Sequence, residues 1–178
     1  MTGSPLPTTV PTTVPTTVHT RPTSTDAAAG GSASPRRLAA DLAAREQLWR
    51  PHVRFSHPRH YTRLLARPGW EAWLLTWLPR QSTGLHDHGG SAGAFAVLEG
   101  ALDEVVLVGG EGGALGVRRF AHGEVRAFGA RHVHDVTATE GTAVSLHVYA
   151  PALTRMTRYA LQDGQLLTIA SERAGTDW

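Results

Sequence analysis

The chain has 178 residues, 41% of them apolar and 18% charged, enough for one domain with a sizeable core and too few for two. Its seventeen basic residues are all arginine and exceed the acidic ones by two, so a pI near 9.7 reflects arginine's high pKa and not a basic groove for nucleic acid. The absence of cysteine excludes disulfides, thiolate metal sites, iron–sulfur clusters and a cysteine nucleophile, and no apolar run approaches the ~20 residues of a membrane span.

Residues 1–34 read as a low-complexity tail. Three copies of Pro-Thr-Thr-Val run from Pro7 to Val18, followed by Thr-, Ser-, Ala- and Gly-rich sequence in which Arg21 and Asp26 are the only charges. So little apolar surface cannot offset the entropy of ordering, and the composition predicts disorder. The segment lacks a basic start leading into a continuous apolar stretch, so it does not read as a secretory signal, and a cytoplasmic location is expected.

A folded domain over residues 35–178 is expected to begin at Ser34-Pro35, an N-cap serine followed by proline at the first helical position. Leu38, Leu42 and Trp49 recur at helical spacing and predict one amphipathic helix to about Arg50, with a short second helix or turn over Arg59 to Ala66. From Trp70 the pattern becomes strand-like: Glu71 to Leu78, Phe95 to Leu98, Asp103 to Val108, Gly116 to Phe120, Glu124 to Phe128, His132 to Val136 and Ala143 to Tyr149. Turn residues such as Gly109-Gly110 and Gly112-Gly113 punctuate them, and Asp163-Gly164 predicts a last hairpin between Thr157–Leu161 and Gln165–Ala170. Many short strands at roughly 8–12 residue spacing predict an all-β sandwich or barrel with a helical front end.

Histidine is the notable excess, at ten. In His86-Asp87-His88 the i, i+2 spacing puts two imidazoles on one face of an extended segment, where they can share an ion, while Asp87 faces away. About 45 residues later Gly123-x5-Gly129-x4-His134 offers a third imidazole. His132 lies on the same face by alternation, so parity alone does not choose between the two. Along Ser145-Leu146-His147-Val148-Tyr149, alternation also gathers a hydroxyl, an imidazole and a phenol on one face, suited to a hydrogen-bonded relay.

The paired histidine motifs resemble those of the cupin superfamily, a jelly-roll (double-stranded β-helix) barrel, with Gly93 where the usual first motif carries a glutamate ligand. Three neutral imidazoles then leave positions on iron for a bidentate substrate and dioxygen. With Tyr61-Thr62-Arg63, Trp77 and the Ser145, His147, Tyr149 segment in the same order, the stretch from Tyr61 to Pro151 resembles the cysteine dioxygenase family.

That resemblance implies an Fe(II) thiol dioxygenase with His86, His88 and His134 as metal ligands and Tyr149, His147 and Ser145 as the catalytic relay. Arg63, Tyr61 and Trp77 would bind substrate, the guanidinium holding its carboxylate. The expected partners are a small cysteine-like thiol and O2, with no nucleic acid and no membrane, and the expected state is a monomer. 3-Mercaptopropionate or another small thiol is the alternative substrate, and a metal-binding cupin without turnover the alternative function. Two departures stand out. The cysteine that cross-links the active-site tyrosine in animal members is replaced by Gly93 or Ala94, and Ala138 stands where the family's second motif ends in asparagine.

Overall fold

The structure, a computed structural model, describes residues 34–108 and 114–173. The Pro-Thr-Thr-Val tail to residue 33 and the glycine-rich turn at 109–113 lie outside the described residues. Among the described residues no helix is long and apolar enough to cross a membrane.

Ser34 caps α1 (Pro35–Ala43), its side chain accepting from the Arg37 N–H at 3.3 Å, with Pro35 in the first turn as expected. The single helix expected to Arg50 is instead broken: Arg45 leaves helical geometry, and α2 (Glu46–Trp49) runs into a 3-10 turn over Arg50–His52. The break lets Trp49 turn into the core, where its indole N–H donates to the Ala43 carbonyl at the end of α1. Tertiary burial of one large side chain outweighs the propagation of a short helix.

The strands are β1 (Tyr61–Arg67), β2 (Trp70–Trp77), β3 (Ala92–Glu99), β4 (Ala101–Val108), β5 (Ala114–Ala121), β6 (Val125–Phe128), β7 (His134–Thr137), β8 (Ala143–Ala150), β9 (Arg155–Gln162) and β10 (Gln165–Arg173). Residues 61–67 therefore form an edge strand and not a second helix, because Tyr61 to Arg67 pair along β2 from Leu75 to Trp70. The hairpin at Asp163-Gly164 forms as expected, with both turn residues at positive φ.

Five antiparallel strands make one sheet in the order β1-β2-β8-β3-β6, and β5-β4-β7 make another. The extended segment around His86 bridges β7 at His134 and β9 at Arg158, which joins the β9–β10 hairpin to the β5-β4-β7 sheet. Side-chain alternation explains why β2, β3 and β8 are almost wholly buried. Ala72, Leu74, Ala94, Ala96, Val144, Leu146 and Val148 pack with Ala39, Leu42 and Trp49 of the helical segment. Trp73, Leu75, Trp77, Phe95, Val97 and Tyr149 point the other way, into a core shared with Leu102, Phe120, Phe128 and Val136. This is the two-sheet jelly-roll barrel expected from the sequence, and His86, His88, His134 and His147 lie buried inside it.

Candidate metal centre

His86, His88 and His134 converge in the barrel, all three buried. Their ring centroids are 4.8–5.0 Å apart, and one ring nitrogen from each lies within 4.8 Å of the others. The backbone does the placing. His86 and His134 exchange both ladder hydrogen bonds, at 2.9 and 3.1 Å, so they sit directly opposite one another, and His88 returns to the same face two residues on. Asp87 faces outward as expected, accepting from the Gly89 and Thr157 N–H groups and the Tyr159 hydroxyl, which pins this segment against β9.

Two of the three rings are held in a ligand-ready tautomer. His86 Nδ1 donates to the Gly84 carbonyl at 2.8 Å, and His134 Nδ1 donates to the Glu104 carboxylate at 2.9 Å, so each Nε2 carries a lone pair. His88 is fully buried, yet neither of its ring nitrogens has a hydrogen-bond partner among the described residues. A buried imidazole without a partner is costly. An ion shared with His86 and His134 removes that cost, and imidazole donors suit iron, zinc, copper or nickel. Burial first, then repulsion among the rings, lowers the pKa of His86 and His88 well below the ordinary value. Burial also lowers that of His134, so all three are neutral bases able to bind a cation.

Beside the trio, Trp77, Ser145, His147 and Tyr149 form one buried chain. The Trp77 indole donates to Ser145 Oγ at 2.9 Å, Ser145 Oγ lies 2.8 Å from His147 Nε2, and His147 Nδ1 lies 3.4 Å from the Tyr149 hydroxyl. Indole can only donate, so Ser145 Oγ accepts from Trp77 and keeps both its hydrogen and a second lone pair for the neutral His147 ring, which carries one N–H. Burial, then the charges of His134 and Arg59, pushes His147 down to about 3 and keeps it neutral. Burial and the nearby Glu71 raise Tyr149, which stays a phenol.

Tyr149, His147, His86 and His134 line a small cavity together with Arg59, Arg158, Thr83, Leu75, Val136 and Met156. Arg59 donates to the Ser82 carbonyl at 2.7 Å and lies 4.6 Å over the Trp77 ring. Burial, then the Arg158 charge, lowers Arg59 to about 10, so its guanidinium stays charged at neutral pH, while Arg158 pairs with Glu172 at 2.9 Å.

A family model for cysteine dioxygenase type I matches residues 33–162. The chain belongs to that family. Several solved structures are similar to the chain over part of its length. A double-stranded β-helix protein from Klebsiella pneumoniae is 15% identical, with 68% of this chain and 93% of that one covered at a TM-score of 0.50. An RmlC-like cupin from Desulfovibrio desulfuricans is 22% identical over 57% of this chain and 91% of that one, TM-score 0.48. TT1209 from Thermus thermophilus is 28% identical over 58% and 93%, TM-score 0.45. A comparison with curated sequences gave no match. The buried histidines thus lie in the jelly-roll barrel of a cysteine dioxygenase family domain.

Within that family frame, the two candidates for the third imidazole separate. His134 joins His86 and His88, whereas His132 sits just before β7, stacks on Phe128 at 5.2 Å and bonds Glu104 at 2.8 Å. The substrate residues expected from sequence fall elsewhere. Arg63 stays outside the cavity, its side chain 55% exposed, 3.5 Å from Glu71 and 5.5 Å from the Trp73 ring centroid. The reason is its place on the edge strand, where the buried Glu71 carboxylate draws the guanidinium sideways. Tyr61 packs tilted against Trp73, and Trp77 donates to Ser145 from the core and does not line the cavity.

Sequence reasoning missed Arg59, Arg158 and Glu104. Arg59 lies two residues before β1 and follows no periodic pattern. Glu104 shares the inward alternation of Leu102, a usable signal that Val105 and Leu107 on the opposite parity obscure. Gly93 gains a reason: a Cβ there would meet the Phe128 ring at 2.7 Å and the Val148 carbonyl at 2.9 Å. Phe128, stacked on His88 at 4.7 Å, fills the space into which a side chain at position 93 would project.

Proposed function

We propose that the protein is a mononuclear non-haem Fe(II) dioxygenase that oxidises a small thiol acid to its sulfinate, with L-cysteine giving cysteine sulfinic acid. The observation that carries this reading is the buried trio of His86, His88 and His134, with no hydrogen-bond partner for the His88 ring nitrogens among the described residues. Iron bound there would supply coordination of the thiolate and activation of O2, so that RSH and O2 combine to RSO2− and a proton.

The chain's own residues do the rest. His86, His88 and His134 bind through neutral nitrogens and contribute no negative charge, which leaves the substrate thiolate as the anionic partner. Arg59, with Arg158 beside it, takes the substrate carboxylate, the role expected of Arg63 from the sequence. Tyr149 lines the cavity with its hydroxyl 3.4 Å from His147 Nδ1 and serves as the proton donor to an oxygen near sulfur. Ser145 and Trp77 hold the His147 ring in place behind Tyr149. Leu75, Val136 and Met156 keep solvent from the reacting atoms.

A second substrate, 3-mercaptopropionate, is favoured by one observation: the cavity lining carries two guanidiniums and no carboxylate to receive an ammonium group. Oxygen uptake by iron-loaded protein with L-cysteine, 3-mercaptopropionate and cysteamine tests both readings. Stoichiometric O2 consumption with sulfinate formation is expected for a carboxylate-bearing thiol. Tight iron binding with no uptake for any thiol overturns the enzymatic reading in favour of a metal-binding cupin.

A further inference from the structure

Glu104 is the most deeply buried acid in the barrel, 2% exposed, and three N–H donors converge on it. Its Oε1 accepts from His134 Nδ1 at 2.9 Å and His132 Nε2 at 2.8 Å, and its Oε2 accepts from Arg126 Nε at 2.6 Å. The residues come from β4, β6, β7 and the turn before β7, so one carboxylate ties together the wall behind the histidine trio.

We propose that Glu104 is the positioning residue of the metal centre, holding His134 in the Nδ1–H tautomer so that Nε2 presents its lone pair to the ion. This rests on the three-histidine reading above. A neutral imidazole has one N–H and one lone pair, and an ionised carboxylate can only accept, so the bond to Glu104 decides which nitrogen is left to bind. Among the described residues His134 makes no other side-chain hydrogen bond, and nothing else selects its tautomer. The Arg126 guanidinium, always a donor, lies 2.6 Å from Oε2 and pairs with the carboxylate as an ion. His86 is set by a backbone carbonyl that no substitution removes, and His88 has no such partner. Among the described residues, Glu104 is therefore the one side chain through which a ligand's tautomer is controlled.

Glutamine is the informative replacement. An amide oxygen can accept, but the amide NH2 would face a donor, so either an N–H is orphaned or His134 turns over to accept at Nδ1 and loses its free Nε2 lone pair. Co(II) is the probe, titrated into metal-free full-length protein against a competing chelator. Glu104→Gln is expected to weaken binding about 10- to 100-fold. His132→Ala, which removes another donor from the same carboxylate but leaves the His134 bond, should stay within about threefold of wild type. Equal loss in both variants marks Glu104 as merely structural and overturns the proposal, as does unchanged affinity in Glu104→Gln. The 15N spectrum of metal-free wild type tests the tautomer without any substitution: a proton on His134 Nδ1 is expected, and one on Nε2 overturns the proposal. Wild-type protein that fails to bind Co(II) at all refutes the three-histidine centre instead.

Discussion

Exchanging the two arginines provides the most direct test of how substrate is held. Arg59→Gln removes a guanidinium that lines the cavity beside Arg158, with a buried Nε that has no hydrogen-bond partner among the described residues. Loss of one member of a sheltered charge pair costs about 2–5 kcal/mol, equivalent to about 30- to 5,000-fold in kcat/KM for a thiol bearing a carboxylate. Arg63→Gln removes a side chain that is 55% exposed and already paired with Glu71, where solvent screening limits the effect to about 1 kcal/mol or roughly fivefold. Oxygen uptake by iron-loaded protein, with L-cysteine and 3-mercaptopropionate against cysteamine, separates the two. Cysteamine lacks the carboxylate, so its slow oxidation should change little in either variant. Because Arg59 also bonds the Ser82 carbonyl and covers Trp77, a folding defect is recognised by loss of cysteamine turnover and iron together. A larger loss for Arg63→Gln than for Arg59→Gln, with iron retained in both, refutes the assignment of the carboxylate to Arg59.

Three further outcomes follow from the same geometry. Gly93→Ala forces a Cβ against the Phe128 ring and the Val148 carbonyl, and should lower unfolding free energy by about 1–3 kcal/mol in urea titrations; a neutral result shows that Phe128 can move aside. His147 is depressed from 6.5 to about 3 in the fold, so its contribution to stability is complete above about pH 6.5 and is lost as pH falls toward 3. The metal-free protein should therefore lose about 1.4 kcal/mol per pH unit below 6.5 from this residue alone, with His86, His88 and His134 adding in the same direction. A urea midpoint unchanged between pH 7 and 5 contradicts the buried neutral histidines. Deleting residues 1–33 should leave fold, bound iron and turnover intact, because the folded domain starts with its own Ser34 cap; a truncated protein that loses metal rejects the two-part organisation.

Local periodicity settled much of this protein before any tertiary contact was known. Alternation identified the inward set Ser145, His147 and Tyr149, the i, i+2 pair His86 and His88, the start at Ser34-Pro35 and the Asp163-Gly164 hairpin, because each depends on neighbours within a few residues. It failed where the outcome depends on what lies across the barrel. His132 and His134 share a parity, and only the ladder between His134 and His86, 48 positions away in sequence, brings one into the trio and leaves the other on Glu104. Arg63 has the expected local motif, but Glu71 on the neighbouring strand holds it at the rim, while Arg59 reaches the cavity from an irregular segment. Parity tells a strand which face a side chain takes; only the packing of distant strands decides which partner waits there.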